Sequence, residues 1–131
     1  MSAIEYFAPE GRLQAPPLST ATRVGDLAFI SGTPGYRADG GLDDEFAAQF
    51  ALCIPALKAA LERTGSSLRS LVKVNVLLTR AQDVAEMNRL YAEAFGPAPY
   101  PARTTCVVAA LPHPKMLIEI ECVAQVETRA S

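Results

Sequence analysis

Three side chains near the C-terminus hold the clearest chemistry in this sequence: Arg103, Glu119 and Glu121. An arginine fork suits two-point recognition of a carboxylate, and a glutamate can hold a water and accept its proton. All three lie in the stretch from Pro101 to Ala124, which reads as two strands joined by a turn at Pro112-His113-Pro114. From Met116 to Val126 the even positions are Met116, Ile118, Ile120, Cys122, Ala124 and Val126, all apolar. Period-two alternation sends these to a core and turns Glu119 and Glu121 to the other face. Antiparallel pairing through the turn would bring Arg103 within reach of both carboxylates and of one small molecule between them. The same residues would also serve as a structural ion pair, and the pattern alone leaves both uses open.

Other chemistries find little support. His113 is the one histidine, held between two prolines, so a Cys/His zinc site of ordinary spacing is not available. A Ser-His-Asp arrangement would have to use that same turn residue, which reads better as a solvated one. There is no glycine-rich phosphate loop and no dinucleotide fingerprint. Cys53, Cys106 and Cys122 are odd in number and far apart, which suits free thiols in a reducing cytoplasm.

The elements that must position these residues follow from the periodicity. At 131 residues, half of them apolar, the chain is expected to form a single domain, residues 1–131. A net charge of −2 with scattered basic residues gives no nucleic-acid footprint, and no apolar run is long enough for a bilayer. Tyr6-Phe7 suggest anchors in a short strand or arm. A strand is expected over Leu18 to Arg23, turning at Gly25-Asp26, and another over Leu27 to Ile30, stopping at Ser31-Gly32.

Asp43 or Asp44 is placed to cap a helix starting near Glu45, whose apolar stripe runs Phe46, Phe50, Cys53, Ile54, Leu57, Leu61. Pro55 falls inside that stripe and predicts one bent helix. Val72, Val74, Val76 and Leu78 alternate as a strand, and a second helix runs from about Gln82 to Phe95. The polar tail, about 127–131, is expected to fray. Two helices with one stripe each suit one face of a mixed α+β sheet. The opposite face, with Leu77, Leu117 and Val123, predicts packing against further subunits.

Five segments then acquire a collective meaning: Ser31-Gly32, Val72-Lys-Val-Asn-Val76, Asn88-Arg-Leu-Tyr91, Pro101-Ala-Arg-Thr-Thr105 and Ile118-Glu-Ile-Glu-Cys-Val-Ala124. In order and spacing the sequence resembles the Rid (YjgF, reactive intermediate/imine deaminase) family, older names for which include L-PSP endoribonuclease, from about Pro17 to Ala124. The resemblance implies a chorismate-mutase-like fold assembled as a homotrimer, with a central barrel, helices outside and sites between subunits. It implies hydrolysis of 2-imino acids and their enamines to 2-keto acids and ammonia, without a cofactor.

By the same resemblance Arg103 binds the substrate carboxylate and Glu119 holds the attacking water. Backbone amides of Gly32 and Thr105 line the pocket, and Asn88 and Tyr91 are structural. Two departures lie beside that pocket. Leu18 stands where the family has a tyrosine hydroxyl, and Thr33-Pro34-Gly35 replaces its Gln-Ile-Pro. Tyr100 is a candidate wall, and a bulkier or more apolar acid is a candidate substrate. Two other uses remain: a non-catalytic binder of small carboxylates such as keto acids, and an aminomuconate-type deaminase on the same scaffold. A nuclease has no basic surface or metal-ligand cluster to support it, so the expected partners exclude nucleic acid and membrane.

Overall fold

A computed structural model describes residues 3–11 and 15–127. In chain order the elements are β1 (Glu5–Phe7), β2 (Ala21–Val24), β3 (Leu27–Thr33), α1 (Phe46–Arg63), β4 (Leu71–Leu78), α2 (Val84–Phe95), β5 (Ala102–Val107) and β6 (Ile118–Gln125). They form a six-stranded mixed sheet in the order β1-β2-β3-β6-β4-β5. Only the β4/β5 pair is parallel.

The core lies between one sheet face and both helices. Ile30, Val74, Val76, Leu78, Ile118, Ile120 and Cys122 present that face, and Phe46, Phe50, Cys53, Leu57 and Leu61 of α1 cover it with Met87, Tyr91 and Phe95 of α2. Helix α1 runs as one element through Pro55. Pro55 and Ala51, whose carbonyl loses its donor, are both on the exposed side, so water can take the missing partner's place. The helix stops at Gly65, whose φ of 84° is a left-handed conformation natural to glycine.

Several expectations need correction. Neither Asp43 nor Asp44 caps α1: Glu45 holds the N-cap position without a side-chain hydrogen bond, while Asp43 Oδ1 accepts the Glu45 N–H at 2.9 Å. Asp43 has spent its carboxylate on the turn that leads into the helix. Strand β3 does not stop at Ser31-Gly32 but continues to Thr33 through a shift in register after Ile30. Leu117 precedes β6 and packs against the core rather than lying on the opposite face with Leu77 and Val123. Glu127 is tied down, its carboxylate accepting from Ser67 and Ser70 and its N–H donating to Gly65 O at 2.8 Å. The rest of the tail lies outside the described residues.

β5 and β6 are not a hairpin. Helix α2 carries the chain back to the start of β4, so β5 enters parallel to β4, with Arg103 opposite Val74. β6 runs antiparallel on the other side of β4, between it and β3, with Glu119 opposite Leu77. A parallel neighbour needs a long crossover, and α2 supplies it; no tight turn at Pro112-His113-Pro114 could.

One buried polar residue fixes how β6 enters the sheet. Gln49, fully buried in α1, donates from Nε2 to the carbonyls of Asp43 at 2.7 Å and Lys115 at 2.9 Å, and its Oε1 accepts the Leu117 N–H at 2.9 Å. Next to it, Gly35 is buried so closely against α1 that an added Cβ would overlap the Gln49 carbonyl oxygen. Gly35→Ala therefore forces backbone apart from backbone, and the expected loss of stability is about 1–3 kcal/mol, read as a lower urea midpoint at unchanged m-value. Among the described residues no helix is long and apolar enough to cross a membrane.

Candidate functional site

The candidate side chains Arg103 and Glu119 fall into two cavities with no lining residue in common. The first, about 340 Å³, is lined by Asn88, Tyr91, Ala92, Tyr100, Pro101 and Arg103. Arg103 projects from the edge strand β5 towards α2. Its Nη2 donates to Asn88 Oδ1 at 2.6 Å, and its guanidinium carbon lies 4.7 Å from the centre of the Tyr91 ring. Tyr91 stacks in turn on Phe95, 4.3 Å between ring centres. The guanidinium is thus held against an aromatic face, by one amide and by a long contact from Nη1 to Met87 Sδ at 3.9 Å, with further N–H groups left for a ligand.

Asn88, expected to be structural, is exposed and ties α2 to β5 through its bond to Arg103. Tyr91 is both core and site. The i, i+3 spacing of Asn88 and Tyr91 was the available signal, since it puts both on the face of α2 that meets β5. Tyr100 borders the same cavity, and its hydroxyl lies where a Cβ on Gly96 would be, at 2.7 Å. Thr105 is two residues further along β5. Its hydroxyl is buried without a hydrogen-bond partner among the described residues, and it lines neither cavity.

The second cavity, about 430 Å³, contains Glu119 with Leu18, Gly32, Thr33, Tyr36 and Met116 in its walls. Ile118 and Ile120 point into the core at 0% exposure, so Glu119 between them must face away from it. Its carboxylate lies over the backbone of Gly32, where a Cβ would come within 2.6 Å of the carboxyl carbon. Glycine at 32 is what leaves the carboxylate its place. Burial raises the Glu119 pKa above the usual carboxylate value, and the charge of Glu121 on the same face raises it further. Glu121 itself accepts from Asn75 Nδ2 at 3.0 Å and lies outside this cavity.

Leu18 brings no hydroxyl to the Glu119 cavity. Ser31 donates its hydroxyl to Ser19 O at 2.6 Å and Thr33 donates to Ser31 O at 2.9 Å, so both serve the backbone. Tyr36, in the loop that follows β3, is another wall of this cavity. The proposed meeting of Arg103 with Glu119 and Glu121 within one chain does not occur. Arg103 lies on the helix side of an edge strand, and the two carboxylates lie on the far face of an inner one.

Known proteins give this geometry a context. The family model for endoribonuclease L-PSP matches residues 12–126. The chain is 39% identical over 110 residues to the mitochondrial protein mmf2 of Schizosaccharomyces pombe, covering 82% of this chain and 86% of that one. It is 32% identical over 117 residues to the 2-iminobutanoate/2-iminopropanoate deaminase of Dermatophagoides farinae, covering 85% and 87% respectively. The crystal structure of RidA from the Antarctic bacterium Psychrobacter sp. PAMC 21119 matches the fold with a TM-score of 0.80 at 35% identity, over 86% of this chain and 91% of that one.

Proposed function

The chain belongs to the endoribonuclease L-PSP (Rid/YjgF) family, and from that premise we propose that it hydrolyses 2-imino acids to 2-keto acids and ammonia. The observation that carries this reading is the pairing of two chemistries: an arginine held on an aromatic face beside a small cavity, and a half-buried glutamate with a raised pKa in another. Arg103 binds the carboxylate through its free N–H groups. Glu119 holds the water. As the water oxygen bonds to the imine carbon, the C=N pair moves to nitrogen and Glu119 takes the water's proton. It returns that proton to the amine. Collapse of the carbinolamine then passes its hydroxyl proton to the nitrogen by way of Glu119, breaks the C–N bond, forms the keto group and releases ammonia.

Because the two cavities are separate within one chain, the working site joins Arg103 of one copy to Glu119, Gly32 and Leu18 of another. A homotrimer with three such clefts fits this need. Its contacts would also cover the sheet face that carries Phe29, Leu77 and Val123, of which Phe29 alone is 40% exposed. The Arg103 cavity, walled by Tyr91, Tyr100 and Pro101, suits side chains larger than a methyl group. The free thiols of Cys53, Cys106 and Cys122 are consistent with a reducing compartment such as the cytoplasm.

The deciding experiment generates 2-imino acids in situ with an amino acid oxidase and follows their loss against capture by semicarbazide. Faster loss with wild type, absent with Arg103→Ala, is the expected result. A second reading is favoured by Leu18, which leaves the Glu119 cavity without the expected hydroxyl: a binder of 2-keto acids that does no chemistry. No acceleration by a folded protein that still binds pyruvate through Arg103 would decide for it.

The raised pKa of Glu119 gives a sign that can be checked. Glu119 must be ionised to accept a proton, so kcat/KM falls on the acid side at a pH above that of an ordinary glutamate. Removing the Glu121 charge lowers the Glu119 pKa. Glu121→Gln should therefore move the acid limb of the profile to lower pH, with the plateau rate retained.

A further inference from the structure

We propose that Tyr36 is a positioning residue for imine hydrolysis, its phenol oxygen orienting the water that Glu119 activates. The inference rests on the deaminase reading above and names a group that reading lacks. A water that attacks carbon needs one lone pair free, and its two hydrogens must be held if that lone pair is to point at the imine. Glu119 accepts one hydrogen. The second needs another acceptor in the same cavity.

The hydroxyls in the cavity walls are few. Those of Ser31 and Thr33 are tied down by donating to backbone carbonyls, though their oxygens can still accept; Leu18 has none, and the Glu10 carboxylate in the same wall is paired with Arg63 at 3.2 Å. Tyr36 lines the cavity and makes no hydrogen bond among the described residues. Tyr36 as a whole residue is 37% exposed. Thr20 also lines the cavity, but a phenol reaches several ångströms further from its backbone than a threonine hydroxyl does.

The backbone that carries Tyr36 is fixed on both sides. Before it, Gly35 is pressed against the Gln49 carbonyl of α1. After it, the loop is closed by Arg37 N–H donating to Gly41 O at 2.8 Å and Gly40 N–H donating to Arg37 O at 2.9 Å, with Arg37 paired to Asp39. An exposed aromatic residue on so constrained a loop is placed rather than merely tolerated. Phenol as acceptor also leaves the proton balance unchanged, since Glu119 alone takes and returns the proton.

The test compares wild type, Tyr36→Phe, Thr20→Val and the double variant Leu18→Tyr/Tyr36→Phe with the same imino acid, alongside the thermal midpoint of each. Tyr36→Phe is expected to lower kcat roughly tenfold, the worth of one hydrogen bond, at unchanged KM and midpoint. The acid limb of the pH profile should stay in place, because burial and Glu121 set it. Restoring a phenol from Leu18, the other wall of the cavity, should recover part of the rate. Unchanged kcat in Tyr36→Phe, a loss matched by a lower midpoint, failure of the double variant to recover, or a loss in Thr20→Val alone would each overturn the proposal while the deaminase reading stood. A wild type that hydrolyses no imine would remove both.

Discussion

Glu119→Gln should lower kcat for imine hydrolysis by about 10²–10⁴-fold, the range that one positioned general base supplies. Glutamine keeps the size and the place over Gly32 but cannot accept a proton at neutral pH. Binding of a 2-keto acid should stay near that of wild type, because the carboxylate contact belongs to Arg103. Rates measured with saturating imine, and product affinity measured by calorimetry, separate the two quantities. Equal loss of rate and affinity would place Glu119 in the binding of substrate rather than in its chemistry.

Arg103→Ala is the counterpart, with kcat/KM expected to fall roughly 10²-fold or more for loss of a charge-assisted, two-point contact. Arg103→Lys should rescue little. It keeps a charge but neither the fork nor the flat surface that lies on Tyr91. The two variants also test where the site is built. Mixed in equal amounts after unfolding and refolding together, two inactive proteins would recover about a quarter of wild-type activity if each site takes Arg103 and Glu119 from neighbouring copies in a ring. Recovery would be nil if each copy supplied both residues itself.

The alternation of β6 and the stripes of α1 and α2 were legible because each repeats a local period. The two helices, β4 and β6 are found within a few residues of where the sequence placed them. Glycine at 32 beside Glu119 was legible only through family resemblance, since the contact joins residues on different strands. Pairing was not legible. Every residue of β5 except Thr105 is exposed, so the strand shows no buried face of its own, and a plausible turn sequence made a hairpin with β6 look natural. What placed β5 beside β4 is the handedness of a crossover through α2, which no residue of β5 encodes. The bond of Asn88 to Arg103 and the place of Tyr36 were not legible for a related reason. Polar and aromatic residues at a helix surface or in a loop carry no period, and only the cavity they face gives them meaning.

Gln49 has a consequence for how the molecule breathes. The Leu117 N–H lies outside the strand ladder, in a segment that would ordinarily exchange its amide hydrogens with solvent as freely as any loop. Its bond to the buried Gln49 side chain ties it instead to α1. In deuterated water that hydrogen should persist alongside the amides of the core, exchanging only when helix and sheet part together. Gln49→Ala should release it early while the ladder amides of β4 keep their protection.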